Sequence, residues 1–222
     1  MVNISEDVPS LCAKKLKGSE VQLALVPVAL LPELNYYDIV SKYCIGADGI
    51  VDSVKLYHNV PLDQICRVLL DYQSRTSVNL ARVLFRFAWK RDVEFIDATP
   101  GFEEKVFANT AAVVIGDRTF ALNGRYTYET DLAEAWKKFT GLPFVFAVWV
   151  STEVLPEKFL QNFNAALQTG VSNIAQAVKD DYTGSVLSAK EVQEYLSDRI
   201  DYHLDERKIT AMKRFHTYLS RL

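Results

Sequence analysis

Short, almost wholly apolar runs alternate with helical segments along this sequence, and that alternation constrains its fold most strongly. Residues 144–150 (FVFAVWV) form the most apolar run, and residues 21–28 (VQLALVPV) form another. Strands covered on both faces have such near-continuous apolar sequences, whereas strands with one solvated face alternate. Further strands are predicted at 51–57, 65–70 and 110–115. The pattern therefore predicts an α/β fold with helices on both faces of a sheet.

The helical segments carry start and stop signals. Asp131 and Glu134 have the spacing of a capping box, which favours a helix start over a catalytic carboxylate pair. Gly141 and Pro143 follow in the order that ends a helix. Trp136, on the inner face of this helix, is predicted to be a core residue. Other helices are predicted over residues 9–18, 76–89, 159–178, 188–200 and 205–222.

The long helical tail indicates that the chain returns to cover a lobe that it built earlier. Two lobes joined by two crossing strands fit this order, with residues 51–57 and 144–150 as the crossings. We therefore predict one lobe from residues 1–54 and 150–222, and a second lobe from residues 55–149. Ligands of open α/β sheets bind at the carboxyl ends of strands, so we expect the site in the cleft between the lobes.

Charge and hydropathy narrow the function classes. The 222 residues carry a formal net charge of −3, whereas a nucleic-acid-binding protein normally has a basic face. Residues 1–10 lack the basic and apolar regions of a signal peptide, and no apolar stretch is long enough to span a membrane. We therefore predict a cytoplasmic monomer or homodimer that binds a small molecule and neither nucleic acid nor membrane.

The cysteines and histidines form no metal or redox motif. Cys12, Cys44 and Cys66 are widely spaced, and the three histidines lack ligand spacing as well. The sequence also lacks the glycine-rich motifs of dinucleotide and nucleoside triphosphate sites, and the motifs of serine hydrolases and zincins. We therefore predict no metal and no cofactor.

Residues 71–77 (DYQSRTS) form the most informative polar segment, because they join a buried strand to a long helix. The first turn of a helix has unpaired N–H groups and a positive partial charge. Hydroxyl groups of Ser74, Thr76 and Ser77 at that position would complete a carboxylate or phosphate pocket, with Arg75 beside them. The alternative is that one hydroxyl caps the helix and Arg75 is solvated. The residues alone leave both interpretations open.

Two further polar residues lie at the ends of predicted strands. Ser53 either faces the cleft or is a strand serine that the backbone satisfies. Asp117 follows a buried strand, where side chains enter the clefts of α/β proteins, or it caps the turn that comes next. Without a resemblance to guide it, the sequence predicts a cleft for a small anionic ligand and does not identify that ligand.

Four stretches, taken together, resemble one protein family. They are residues 44–49 (CIGADG) with Ser53 beyond them, 74–78 (SRTSV), 115–117 (IGD) and 131–147, in which the segment TGLPFVFA begins at Thr140. In this order and spacing they resemble the chorismate dehydratases of menaquinone biosynthesis. The run TGLPFVFAVW is the most specific of them, and the similarity extends over nearly the whole chain.

The resemblance implies a periplasmic-binding-protein-like (type II) clamshell with two crossover strands and a helical C-terminal tail. It also implies a cofactor-free lyase that dehydrates chorismate to 3-[(1-carboxyvinyl)oxy]benzoate, the first step of the futalosine route. By match to the family's motifs, Ser53, Thr76 and Ser77 contact the substrate, and Arg75 and Asp117 are further candidates. A non-catalytic binder of a small carboxylate and the related 1,4-dihydroxy-6-naphthoate synthase are the alternatives.

One departure from the family pattern concerns the start of the sequence. Members usually begin with a strand that carries a Tyr-Leu-Asn-like motif, well before the helix that starts near Pro9 here. The resemblance implies that this strand is central in the first lobe and that its asparagine touches the substrate. A lobe without it would leave ladder edges unpaired, so we expect low stability or poor activity.

Overall fold

The computed structural model describes residues 3–222. The strands are β1 (Leu23–Pro27), β2 (Asp38–Ala47), β3 (Val54–His58), β4 (Arg67–Leu70), β5 (Glu94–Asp97), β6 (Thr110–Ile115), β7 (Tyr128–Asp131), β8 (Phe144–Ser151) and β9 (Asp201–His203). The helices are α1 (Pro9–Lys17), α2 (Thr76–Val83), α3 (Arg118–Ala121), α4 (Leu132–Thr140), α5 (Glu157–Ser172), α6 (Ile174–Asp181), α7 (Ala189–Glu194) and α8 (Glu206–Leu219). Turns of π-helix extend α2 over Leu84–Ala88 and α7 over Tyr195–Arg199.

The strands form two sheets. The first sheet is antiparallel and has the order β1-β8-β2-β9. The second sheet has the order β5-β4-β6-β3-β7, in which β4 runs parallel to β5 and β6, and β3 runs antiparallel to β6 and β7. Among residues 3–222, no helix is long and apolar enough to cross a membrane. The α/β class predicted from the sequence is confirmed.

The segments predicted as crossing strands each pair within a single sheet. β8 has β1 along one edge and β2 along the other, so both of its backbone edges are used within the first sheet. β3 is likewise flanked by β6 and β7 in the second sheet. The chain passes between the sheets in the segments that precede these strands. The division into lobes 1–54 plus 150–222 and 55–149 stays a prediction, although all of β8 lies in the first sheet.

The second sheet is covered on both faces. Successive residues of a strand point to opposite faces, and Leu56 and Tyr57 of β3 belong to different apolar clusters. The Leu56 cluster also contains residues of the first sheet and of α2, α4 and α8, so it joins both sheets into one core. The Tyr57 cluster includes Phe102 and Leu122 and covers the other face. This double burial explains why these strands are apolar along their whole length.

Helix α4 begins and ends where the sequence predicts. The Asp131 carboxylate accepts hydrogen bonds from the amides of Ala133 and Glu134, each at 3.0 Å. The reciprocal half of the capping box is replaced, because the Glu134 side chain pairs with Lys138 at 2.9 Å. Gly141 ends the helix in the left-handed region, at a φ of 75°.

Trp136 of α4 is fully buried, as predicted, and its Nε1 donates to the Pro143 carbonyl at 3.0 Å. Its ring lies edge-on to Phe144 and Phe215, with centroids 5.4 and 6.1 Å away. Because Phe144 belongs to β8 and Phe215 to α8, this one indole joins three elements of the core.

Candidate functional site

Three strand ends meet at one edge of the second sheet. β4 and β6 are parallel, so their carboxyl ends lie side by side. β3 runs the other way, and its first residue, Val54, pairs with the last residue of β6, Ile115. Beyond this pair, the Gly116 amide donates to the Ser53 carbonyl at 2.9 Å. The topology therefore brings together Ser53 and the Gly116-Asp117 segment, two stretches that the sequence singled out separately.

Ser53 is buried, with 7% of its surface exposed. The Tyr195 hydroxyl, 142 residues further along the chain, donates to Ser53 Oγ at 2.8 Å. The Phe120 ring lies edge-on to the Tyr195 ring at 5.2 Å. Burial raises the pKa of Tyr195, and the charges of Asp117 and Asp52 raise this pKa as well. The phenol therefore remains a neutral hydrogen-bond donor at neutral pH.

Asp117 is exposed, and its side chain does not cap the short helix α3. The structure therefore does not support the alternative that Asp117 caps the turn that follows it. The negative charge of this carboxylate raises the pKa of Tyr195.

A buried carboxylate ties two loops of this edge together. Asp71 directly follows β4, and its side chain accepts from the amides of Gln73 and Ile115, both at 3.0 Å. Arg118 also donates to Asp71, and it reaches Glu103 at 2.7 Å. Although burial works against the charge, the Asp71 carboxylate raises the pKa of Arg118. This network fixes the loop that leads into α2 relative to the end of β6.

The hydroxyl groups at the start of α2 have different roles. Ser74 Oγ accepts from the Ser77 amide at 3.0 Å and so caps the helix. Thr76 Oγ1 donates to the Phe146 carbonyl at 3.0 Å and accepts from the Ala29 amide at 3.4 Å, which attaches α2 to the first sheet. Within the part of the chain that the structure describes, the Ser77 hydroxyl has no hydrogen-bond partner, although only 3% of this residue is exposed.

Arg75 does not point to the edge of the second sheet. Its guanidinium is half exposed and lies 3.4 Å from Glu33. It lines an open cavity of about 430 Å³ with residues of α1, among them Lys14 and Lys17. A second cavity of about 660 Å³ lies between β9 and the junction of α5 and α6. Neither cavity is lined by Ser53, Ser77 or Asp117, so the structure does not gather all five predicted residues around one opening.

Tyr195, Asp71 and Arg118 are the residues of this region that sequence reasoning missed. Asp71 gave a signal, because an acidic residue directly after a buried strand lies at the ligand edge of an α/β sheet. Tyr195 gave none, since it comes from the helical tail and its partner lies 142 residues away. Among residues 3–222, no group of three or more His, Cys, Asp or Glu side chains has the arrangement of a metal site.

Comparisons with known proteins agree with the resemblance seen in the sequence. The profile of a protein family described as menaquinone biosynthesis matches residues 1–221. A chorismate dehydratase of Thermus thermophilus is 27% identical over an alignment that covers 94% of this chain and 83% of that protein.

Solved structures give the fold. Protein AF1704 of Archaeoglobus fulgidus superposes with a TM-score of 0.73 at 15% identity, over 97% of this chain and 84% of that one. The periplasmic aliphatic sulphonate binding protein SsuA of Escherichia coli superposes with a TM-score of 0.58 at 12% identity, over 96% and 79% of the two chains. The predicted periplasmic-binding-protein-like fold is thereby confirmed.

Proposed function

Since the chain belongs to the menaquinone biosynthesis family, we propose that it is a lyase that dehydrates chorismate to 3-[(1-carboxyvinyl)oxy]benzoate. The observation that carries this proposal is the similarity to a chorismate dehydratase over 94% of the chain. The reaction would open the futalosine route in the cytoplasm. The hydroxyl-rich edge of the second sheet supports the proposal, because it offers neutral donors to a substrate with two carboxylates.

The reaction removes one molecule of water from the chorismate ring. The C3–H and C4–O bonds break, and the electron pair of the C3–H bond becomes the new C3–C4 double bond. The C3 proton and the departing C4 hydroxide together make the water. A substrate carboxylate takes the proton first, which accounts for a site without a histidine base. Because the ring becomes aromatic, the protein mainly has to hold the eliminating conformation and exclude bulk water.

The residues at this edge have the chemistry for that task. The Ser77 hydroxyl, free at the start of α2, donates to one substrate carboxylate where the helix end favours negative charge. Thr76 holds the helix in place through its bond to Phe146, and Ser53 supplies a second O–H donor. Arg75 is a further candidate, whose guanidinium pairs with Glu33 and lines a separate cavity. Asp117 is a further candidate, exposed just beyond the end of β6 at the same edge.

The direct test incubates the purified chain with chorismate and follows 3-[(1-carboxyvinyl)oxy]benzoate by liquid chromatography. We expect product above the uncatalysed rate, and much less product from a Ser77→Ala variant when chorismate is supplied below KM. The matched control is Ser185→Ala, because Ser185 is an exposed serine whose hydroxyl bonds to the backbone of Leu187.

Two other results would replace the proposal with one of its alternatives. Thermal stabilisation by chorismate without turnover indicates a non-catalytic binder. Conversion of a cyclic futalosine derivative, with chorismate left intact, indicates the 1,4-dihydroxy-6-naphthoate synthase.

A further inference from the structure

We propose that Tyr195 is a positioning residue of the substrate site, which orients the Ser53 hydroxyl toward the ligand. The inference rests on the proposed function for the assignment of Ser53 to the substrate. Its observational basis is the hydrogen bond from the Tyr195 hydroxyl to Ser53 Oγ, 2.8 Å long, between residues that are 142 positions apart.

The donor and acceptor inventory of this pair leaves one proton unused. A serine hydroxyl has one donor and two acceptor sites, and the phenol is the stronger acid of the two, so Tyr195 donates and Ser53 accepts. Among residues 3–222, the Ser53 hydroxyl then has no acceptor for its own proton. Such a chain of hydrogen bonds also polarises its last O–H group. Ser53 is therefore prepared to donate to an oxygen of the ligand.

The segment that carries Tyr195 is built to hold it there. Tyr195 opens the turn of π-helix Tyr195–Arg199, and such turns occur frequently at functional sites. At the other end of this turn, Arg199 Nε lies 2.7 Å from Asp52 Oδ2. The π-helical turn thus contacts two adjacent residues, Asp52 and Ser53, through side chains at its two ends.

The backbone that the turn contacts is itself fixed in an uncommon conformation. Asp52 is not a glycine, yet its φ is 64°, in the left-handed region. The Asp131 carboxylate, which caps α4, also accepts from the amides of Val51 and Asp52 at 2.9 and 2.8 Å. Residues 51–53 are therefore held from both sides, by α4 and by the C-terminal tail. This rigidity fixes the Ser53 hydroxyl with respect to the strand ends.

A double-mutant cycle tests the proposal. Tyr195→Phe keeps the ring against Phe120 and removes only the hydroxyl, so we expect the melting temperature to fall by no more than about 4 °C. We expect KM for chorismate to rise about fivefold, the value of one hydrogen bond, with kcat less affected. In a Ser53→Ala background the same change should have no further effect, because the partner is gone. Tyr202→Phe, on the same tail and with no hydrogen bond to Ser53 among residues 3–222, is the matched control.

The outcomes separate this inference from the proposed function. Two results would overturn the positioning role while chorismate turnover stands. One is that Tyr195→Phe raises KM equally in the native chain and in the Ser53→Ala variant. The other is that Tyr195→Phe does not change KM in the native chain. If the native chain makes no product, the proposed reaction fails, and the same cycle is read from thermal stabilisation by chorismate. A chain that chorismate neither stabilises nor reacts with overturns both.

Discussion

Two regions of this protein, the interior of the first sheet and the edge of the second where β4 and β6 end, bury different kinds of side chain. β8, in the interior of the first sheet, is apolar from Phe144 to Val150. Apolar contacts do not depend on direction as hydrogen bonds do. Around the edge of the second sheet, Ser53, Asp71 and Asp131 are buried polar residues, and each is held by hydrogen bonds. Apolar packing tolerates exchange of similar shapes, whereas a buried polar network fixes positions and fails when one member is removed. The first sheet therefore acts as scaffold, and the second fixes the site.

The largest effect is expected in the apolar region. Trp136→Ala removes a fully buried indole between β8 and α8, so we expect a loss of about 4 kcal/mol in the free energy of unfolding. Urea denaturation followed by far-ultraviolet circular dichroism measures it. Phe107→Ala is the control, because this aromatic ring is 66% exposed and its removal should change stability by less than about 0.5 kcal/mol. Similar losses of stability in the two variants would show that the buried indole contributes no more to stability than an exposed ring.

The next largest effect tests the polar network. Asp71→Asn keeps the shape but places an amide group among the N–H donors of Gln73, Ile115 and Arg118. We expect a loss of about 3 kcal/mol in unfolding free energy, because donors in buried surroundings lose their acceptor. KM for chorismate should rise as well, since the loop before α2 is no longer fixed.

The matched control for this variant is Glu104→Gln, which breaks the exposed ion pair with Arg125. Exposed pairs of this kind contribute little, so we expect no measurable change in stability or KM. Should Asp71→Asn behave like Glu104→Gln, the network would have no role in positioning the loop.

Adjacent residues of α2 sharpen the comparison further. Thr76→Val removes the hydroxyl that bridges to Phe146, and we expect a loss of about 2 kcal/mol in stability because a buried carbonyl loses its donor. Ser77→Ala removes a hydroxyl without a partner among residues 3–222, so stability should stay the same. Its KM for chorismate should rise about tenfold, the value of a hydrogen bond to a charged group. Thermal melts and steady-state kinetics of both variants measure these effects. If Ser77→Ala lowered stability and Thr76→Val raised KM, the roles of the two residues would be exchanged.

The difference between the regions also explains what the sequence could predict. The sequence predicts β6 and β8 because strands buried on both faces are uninterrupted apolar runs. It predicts α4 because the residues that cap this helix are close to it in sequence. β2 was missed because its exposed and buried residues follow no regular alternation, and register shifts interrupt its pairing with β8.

The site was only partly predictable for a related reason. Ser53 and Ser77 belong to local motifs, so the sequence singles them out. The partner of Ser53 is Tyr195, and no local pattern connects residues that the fold alone brings together.

The smallest effect compares one histidine from each region as the pH is lowered. Burial lowers the pKa of His216, whose Nε2 lies 2.8 Å from the Val28 carbonyl, and burial likewise lowers the pKa of His58 in the second sheet. In the unfolded chain both imidazoles take up a proton below a pH of about 6.5, while the folded protein resists it. Their contribution to stability is therefore complete above that pH, and it is lost as the pH falls toward the lowered values.

His216→Gln and His58→Gln should each flatten the dependence of unfolding free energy on pH between about 7 and 5, measured by urea denaturation in steps of pH. Glutamine cannot be protonated there, and its amide retains a donor for the neighbouring oxygen. If only His58→Gln flattens the curve, acid sensitivity belongs to the second sheet, and the surroundings of His216 do not contribute to it. If both variants flatten the curve equally, acid sensitivity arises from the burial of an imidazole, whichever sheet the imidazole lies against. Curves that run parallel to that of the native chain would show that neither histidine is kept neutral by the fold.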